Sequence, residues 1–329
     1  MAIDGKVLAR AKATLEEKRR QNESRYDRRL EKVLAKAPRV RVIDDEIRTT
    51  MAQLIGVALG TETEERVGEI RQKNLELQEE RRSEIIRAGF PDDYLSDENM
   101  CRKCDDTGYV RTEMCSCLHE LYINEQRQSL SSLLRLGDET FDNFDLSYYS
   151  DLPAPETGVS PRRSMEVIYE TCVEYARKFG GKSMNLFFNG APGLGKTFLS
   201  ACIARVVAEN GNSVVYETAS NIFSIFEDAK FARSDDQEEV RAEVKRLLEC
   251  DFLIMDDLGT EMTTAFTISA LYELINTRLM TGKKTIVSSN LTINEMQRRY
   301  SIQIMSRLEG EYQVLTFRGD DIRRIKNSI

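Results

Sequence analysis

The stretch "GAPGLGKT", Gly190 to Thr197, decides the fold. It satisfies G-x-x-x-x-G-K-[ST] and lies between an apolar, β-rich run, "NLFFNG", and a helical one, "KTFLSACIARVVAEN". In that strand-to-helix setting the chemistry is phosphate binding. Glycines let backbone N–H groups curl around an anion, and the helix N-terminus adds partial positive charge. Gly190, Ala191, Pro192, Gly193, Leu194, Gly195, Lys196, Thr197 and Phe198 are therefore expected to bind nucleotide. Lys196 would reach the β and γ phosphates of ATP, and the Thr197 hydroxyl would ligate Mg2+.

Outward from the motif, short β-rich runs alternate with helices: "NLFFNG", "SVVYET", "FLIMDD", "TIVSSN" and "YQVLTF". Strands apolar on both faces and separated by helices imply a parallel sheet covered on each side. The helices expected between them are "KTFLSACIARVVAEN", "NIFSIFEDAKFAR", "DQEEVRAEVKRLLEC" and "FTISALYELINTRLM", then one capped by Thr292 and Glu295 in "TINEMQRRYS". The strand "FLIMDD" ends in Asp256 and Asp257, which places two carboxylates at its C-terminal edge beside the phosphate loop. Asp256 is expected to hold Mg2+ through water, and Asp257 to orient or deprotonate the attacking water. Asn290, at the end of "TIVSSN", is placed to fix that water or to sense the γ-phosphate.

The region before residue 136 is different in kind. Residues 1–41 hold thirteen Lys or Arg against six Asp or Glu, and residues 42–100 seven against fifteen, a basic arm followed by an acidic stretch. Helical runs are expected from Val7 to Lys36, stopped by Pro38, from about Asp44 to Leu59, from a "TETE" capping pattern near Thr61 to Gly89, and from about Leu118 to Leu134. Between the last two lies "CRKCDDTGYVRTEMCSCLH", with four of the seven cysteines and the only histidine. The opening "MAIDGKVLARAKATLEEKRRQ" lacks an apolar signal core and no run is long enough to span a membrane, so a reducing cytoplasm is expected. There, C-x2-C followed by C-x-C reads as thiolates converging on a metal. Cys101, Cys104, Cys115 and Cys117 suit structural Zn2+, His119 is an alternative to Cys117, and an iron–sulfur cluster would accept the same ligands. Cys172, Cys202 and Cys250 fall in apolar helical patterns and read as core. The net charge of -8 argues against a surface wholly given to coating nucleic acid.

"FDNFDLSYYSDLPAPETGVSPRR" carries aromatics, prolines and turn formers without a helical or strand period, and marks a boundary. The expected domains are a helical, zinc-binding part at 1–135, a linker at 136–160 and a nucleotide-binding α/β domain at 161–329.

In the order GAPGLGKT, IMDDLG, VSSN and SRLEG, the chain resembles the AAA+ ATPases. In detail it resembles the DnaC and DnaI helicase loaders, with IstB as a cousin, over nearly all of residues 141–329. "CRKCDDTGYV...CSC" resembles the zinc-bearing region of DnaI-like loaders. The resemblance implies a P-loop AAA+ sheet behind a mainly helical N-terminal domain. It implies slow ATP hydrolysis, a DnaB-type replicative helicase and single-stranded DNA as partners, and self-association. Position by position, Arg307 in "IMSRLEG" matches the arginine finger that serves a neighbouring subunit, against the alternative of a surface arginine paired with Glu309 or Glu311. Arg323 in "GDDIR" matches a second phosphate sensor. Phe226, Lys230, Phe231 and Arg233 fall in the insertion that initiator-type relatives turn toward single-stranded DNA, although at helical spacing most such aromatics belong in a core. Two departures stand out: Asp257 occupies a position where most AAA+ proteins have Glu, and the chain stops soon after Arg323 without the usual helical lid. An IstB-like transposition helper and an ATP-gated scaffold with negligible hydrolysis are the alternative functions.

Overall fold

The computed structural model describes residues 3–58, 64–96, 99–134, 139–155, 157–231 and 237–326. They form two compact units, one of Met1–Ala11 with His119–Ile329, the other of Lys12–Leu118.

The second unit is built on helices α1 (Gly5–Lys36), α2 (Arg39–Ala58) and α3 (Glu64–Arg87), followed by the two-residue strands β1 (Tyr109–Val110) and β2 (Glu113–Met114) and the start of α4 (Ser116–Leu134). Helix α2 starts at Arg39, earlier than the expected Asp44. Pro38 ends one helix and opens the next, since its fixed φ suits a first turn and its carbonyl accepts from Arg41 N at 3.2 Å. The "TETE" capping pattern begins outside the described residues. The core of this unit is small, with Val33, Ala37, Val40, Ile85 and Leu95 buried together. Polar links add specificity between helices: Arg81 Nε donates to Asp44 Oδ1 at 2.6 Å, and buried Asn74 Nδ2 donates to Thr50 Oγ1 at 2.6 Å.

The larger unit contains helices α5 (Pro161–Arg177), α6 (Lys196–Glu209), α7 (Ala219–Phe231), α8 (Gln237–Glu249), α9 (Ala265–Met280), α10 (Ile293–Arg299), α11 (Ile302–Glu311) and α12 (Ile322–Lys326). Its strands are β3 (Asn185–Asn189), β4 (Val214–Thr218), β5 (Phe252–Leu258), β6 (Lys284–Ser289) and β7 (Tyr312–Thr316), in the parallel order β4-β5-β6-β3-β7. All five expected strands are present. Successive residues point to opposite faces, and both faces are apolar: Leu186, Phe188, Ile254 and Ile286 enter one core, Phe187, Leu253, Met255 and Val287 the other. This is the α/β P-loop arrangement expected, with the sheet covered on both sides.

Helices α5, α11 and α12 were not among those expected, although Met165, Ile168, Cys172 and Ala176 on α5 are buried at helical spacing. Ser160 caps α5 by accepting from Arg163 N at 3.2 Å. The Thr292 and Glu295 capping box of α10 forms as read, with reciprocal bonds of 3.3 and 2.7 Å. Cys172, Cys202 and Cys250 are buried. The segment 141–149 makes two short 3-10 turns, and its Phe141, Phe144 and Tyr149 pack against the α5–α6 side of the sheet. Arg278, on α9, is 1% exposed. It donates to the carbonyls of Leu247, Leu248, Cys250 and Lys284 and to Thr285 Oγ1, over 2.6 to 3.3 Å.

Candidate functional site

The C-terminal edges of β3, β5 and β6 open onto a cavity of about 420 Å³. The phosphate loop forms its floor. Gly195 has φ +88°, and a Cβ there would lie 2.9 Å from the Tyr149 hydroxyl; at Gly190 it would lie 2.5 Å from the Phe317 carbonyl. Only glycine fits both places, so the loop can lie close against its surroundings. Tyr149 locks the loop from behind by donating to the Leu194 carbonyl at 2.9 Å.

Lys196 is 5% exposed. Its Nζ donates to the Gly190 and Ala191 carbonyls at 2.6 and 2.8 Å and to Asn290 Oδ1 at 2.8 Å. Burial pushes the Lys196 pKa down, opposed by Asp257 and Asp256. Asn290 passes the connection on, its Nδ2 donating to Asp257 Oδ1 at 3.2 Å. The ammonium, the amide and the carboxylate thus form one hydrogen-bonded chain across the mouth of the loop.

Two adjacent aspartates on a regular strand would face opposite sides of the sheet. Here β5 breaks register against β6 between Met255 and Leu258, and Asp257 takes φ +57°. Such a bulge re-aims side chains and is common beside functional sites. It leaves Asp256 bonded to Thr197 Oγ1, which donates to Asp256 Oδ2 at 3.0 Å, while Asp257 meets Asn290. Burial, and then the charge of Asp256, raises the Asp257 pKa above its ordinary value. Tyr216 and Ser288, which the sequence reading passed over, also donate to Asp256. Burial and the Asp256 charge hold the Tyr216 phenol well above its ordinary pKa. The hydroxyl of Thr197 and the carboxylate of Asp256 are hard oxygen donors held together, a set that suits Mg2+.

The far wall is aromatic. Phe144 and Tyr148 line it with Phe198, whose ring lies 5.6 Å from that of Phe144. Glu139 lies there too, with Oε2 buried and without a hydrogen-bond partner. "FDNFD" marked a boundary in the sequence, and its repeated aromatics were the signal that it also walls a site. Arg323 and Lys326 border the cavity from α12, whose start is tied to the loop by Ile322 N donating to the Gly193 carbonyl at 3.0 Å.

The remaining candidates lie elsewhere. Arg307, on α11, does not line this cavity. Its guanidinium donates to Asn276 Oδ1 and the Tyr272 hydroxyl, at 2.8 and 3.0 Å from Nη2, and sits 4.6 Å from the Tyr272 ring centre. Its partners are thus Asn276 and Tyr272 rather than Glu309 or Glu311. Phe226 is buried in the core, whereas Phe231 is 69% exposed with Lys230 over its ring at 5.8 Å. Arg233 falls outside the described residues.

In the unit Lys12–Leu118 the four expected thiols converge. The Sγ atoms of Cys101 and Cys115 are 3.7 Å apart, those of Cys104 and Cys117 3.5 Å apart, and all four lie within 4.8 Å of one another; His119 is not in this set. A tetrahedron with Zn–S bonds of about 2.3 Å has sulfurs about 3.8 Å apart, so the four fit the ion. The Cys117 backbone N–H is the chief cause that lowers the Cys115 thiol to about 7, while burial raises Cys104 and Cys117. Asp106, itself buried, accepts from Met100 N and Cys101 N at 3.1 and 2.8 Å and fixes the first turn of the cluster.

Residues 172–328 match the family described as IstB-like ATP binding protein. The replicative helicase loader DnaC of Escherichia coli K12 is 26% identical over 151 residues, 46% of this chain and 60% of the relative, so the chain spans about three fifths of that relative's length. An ATP-binding protein of an insertion sequence from Mycobacterium tuberculosis is 33% identical over 110 residues, 33% of this chain and 42% of that protein. The crystal structure of DnaI is similar with a TM-score of 0.45 at 16% identity, over 57% of this chain and 93% of that one. Among the described residues no helix is long and apolar enough to cross a membrane. The stretch that is similar to the IstB-like ATP-binding proteins, residues 172–328, is the one that carries the phosphate loop, the paired aspartates and Asn290 on one parallel sheet.

Proposed function

We propose that this protein is a slow ATPase that loads a DnaB-type replicative helicase onto single-stranded DNA in the cytoplasm. The observation that carries the enzymatic half is the chain Lys196–Asn290–Asp257 beside Thr197 and Asp256 in one cavity. Lys196 exchanges the loop carbonyls of Gly190 and Ala191 for the β and γ phosphates, and backbone N–H groups of the loop hold the remaining phosphate charge. Thr197 and Asp256 would hold Mg2+, which when bound neutralises phosphate charge. Asp257 accepts the proton of the attacking water, with Asn290 holding its carboxylate. Arg323, beside the loop, adds positive charge at the phosphates. At the base end, the rings of Phe144 and Tyr148 offer stacking surfaces, and the unpaired Glu139 Oε2 accepts from an exocyclic amino group.

Arg307 acts in trans, on nucleotide held by a second copy, which makes self-association part of the cycle. The helicase is gripped by residues 1–135, whose four thiols hold one structural Zn2+. Residues 136–160 join that part to the ATPase domain at 161–329, and Phe231 and Lys230 face DNA. The similarity to DnaC supports the helicase as partner. The insertion-sequence relative supports the second reading, a transposition helper.

The test is capture. Full-length protein, helicase from the same source and single-stranded DNA are mixed with ATP, and helicase retained on the DNA is measured. ATP-dependent retention that is lost in Lys196→Ala is expected. No retention by a protein that still binds ATP would sink the loader reading, and ATP-dependent binding of a transposase instead would favour the second.

A further inference from the structure

Asp256 is saturated. Its Oδ2 accepts from Thr197 Oγ1 at 3.0 Å and from the Tyr216 hydroxyl at 2.5 Å, and its Oδ1 accepts from the Ser288 hydroxyl and from Asp257 N at 3.1 Å. A carboxylate offers about four lone-pair positions, and here four donors fill them. Anything that arrives at Asp256 must displace one of the four.

The donors are not equally free to leave. Tyr216 and Ser288 come from β4 and β6, the strands on either side of β5, and are 4% and 0% exposed. The Tyr216 ring is packed in the core with Leu199, Ile203 and Ile254. Moving the Tyr216 hydroxyl means disturbing a close-packed ring, and turning the Ser288 hydroxyl away would also break the bond it accepts from Asp257 N at 3.0 Å. Asp257 N belongs to the bulge itself. Thr197 keeps two lone pairs while its O–H donates to Asp256, so its oxygen stays available to the cavity.

We propose that Tyr216 and Ser288 are positioning residues for Asp256, holding its carboxylate toward Thr197 and the Mg2+ position. The inference rests on the ATP reading above and adds the residues that make the Mg2+ position stiff. The two strand hydroxyls keep the carboxylate buried and aimed as the ion enters. A carboxylate without them would have to be re-oriented at each binding event, at a cost in metal affinity.

Tyr216→Phe removes one hydroxyl and leaves the packed ring, so it isolates the bond from the core. Binding of a fluorescent ATP analogue to the full-length protein is followed in EDTA and across a Mg2+ titration, and thermal stability is measured alongside. The parent should bind more tightly as Mg2+ is added. Tyr216→Phe should need about 10- to 100-fold more Mg2+ for the same gain, the usual range for loss of a group that orients a metal ligand, with affinity in EDTA unchanged. Ser288→Ala should shift in the same direction, and it carries the test if Tyr216→Phe does not fold. A Mg2+ titration in the variants that matches the parent's, or is tighter, overturns the positioning role while leaving the nucleotide site standing. A parent that binds the analogue in neither condition overturns the ATP reading, and this inference with it.

Discussion

The rim of the parallel sheet and the cysteine cluster each gather polar groups at one point, by different means. At the rim, Asp256 sits on a strand with paired strands on both sides and an apolar layer above and below. Its partners are in place before any ligand arrives. Around the thiols there are two strands of two residues, and Asp105, Asp106 and Arg111 all hold positive φ of 48°, 59° and 56°. L-residues pay for such backbone unless the surroundings compel it. In the cluster these turns bring four thiols within 4.8 Å of one another. The first site is organised by the fold; the second gathers its thiols on turns with little regular structure around them.

The sharpest way to break that contrast is to remove the ion. Metal analysis of reduced full-length protein should give close to one zinc per chain, and a visible absorption band with iron would replace zinc by a cluster. Apparent binding energies of structural zinc reach about 10–16 kcal/mol in small domains, so Cys104→Ser or strong chelation should unfold the segment around residues 101–117 and open it to protease. Binding of ATP analogue should persist. Loss of nucleotide binding together with the zinc would show that the sheet's rim is not independently built.

A middle-sized effect concerns Asp257. Asn tolerates left-handed backbone as Asp does, so Asp257→Asn should keep the bulge and bind ATP as the parent does. Turnover should fall by about 10²- to 10⁴-fold, the usual contribution of a general base. The sign of the pH dependence follows from burial. Asp257 accepts a proton only when ionised, and its pKa is raised, so parent turnover should fall with acid at a higher pH than an unperturbed aspartate would give. Asp257→Asn should lack that limb, and an unchanged limb in the variant would assign it to another group.

The smallest effect on the fold is expected at Arg307, which is held at the surface by Asn276 and Tyr272. Arg307→Ala should cost about 1 kcal/mol of stability or less, as surface polar contacts do. A far larger change is expected in turnover if the residue serves a second copy. Arg307→Ala and Lys196→Ala should each be inactive and should recover activity when mixed, because the intact finger of one reaches the intact pocket of the other. Full activity of Arg307→Ala alone would return it to a purely local role.

Much of the ATP site was legible because it is local. The phosphate loop is one contiguous motif, and Thr292 with Glu295 is a cap written in four residues. The five strands announced themselves by being apolar on both faces. What escaped depends on neighbours distant in the chain. Tyr216 and Ser288 meet Asp256 only because β4 and β6 flank β5, and a Tyr or Ser within a strand carries no mark of that. Phe144 was hidden by its setting, since a turn-rich stretch reads as a linker whether or not its rings are buried. Helix α5 has a readable period in Met165, Ile168, Cys172 and Ala176, masked by the turn-rich, proline-bearing stretch that runs directly into its first turn. Arg278 reads as an ordinary charge on a helix, and only the closed pocket of carbonyls around it makes its burial possible.

The bulge in β5 also constrains what this site can become. Asp257 stands at φ +57°, a region that Asp and Asn enter more readily than longer or branched side chains. Exchanging it for the glutamate usual at this position would set a longer side chain on backbone less suited to it, and would push the carboxylate past the Asn290 amide it now meets. A glutamate here would therefore need side-chain reach and strand register to change together, because the short acid and the kinked strand fit one another.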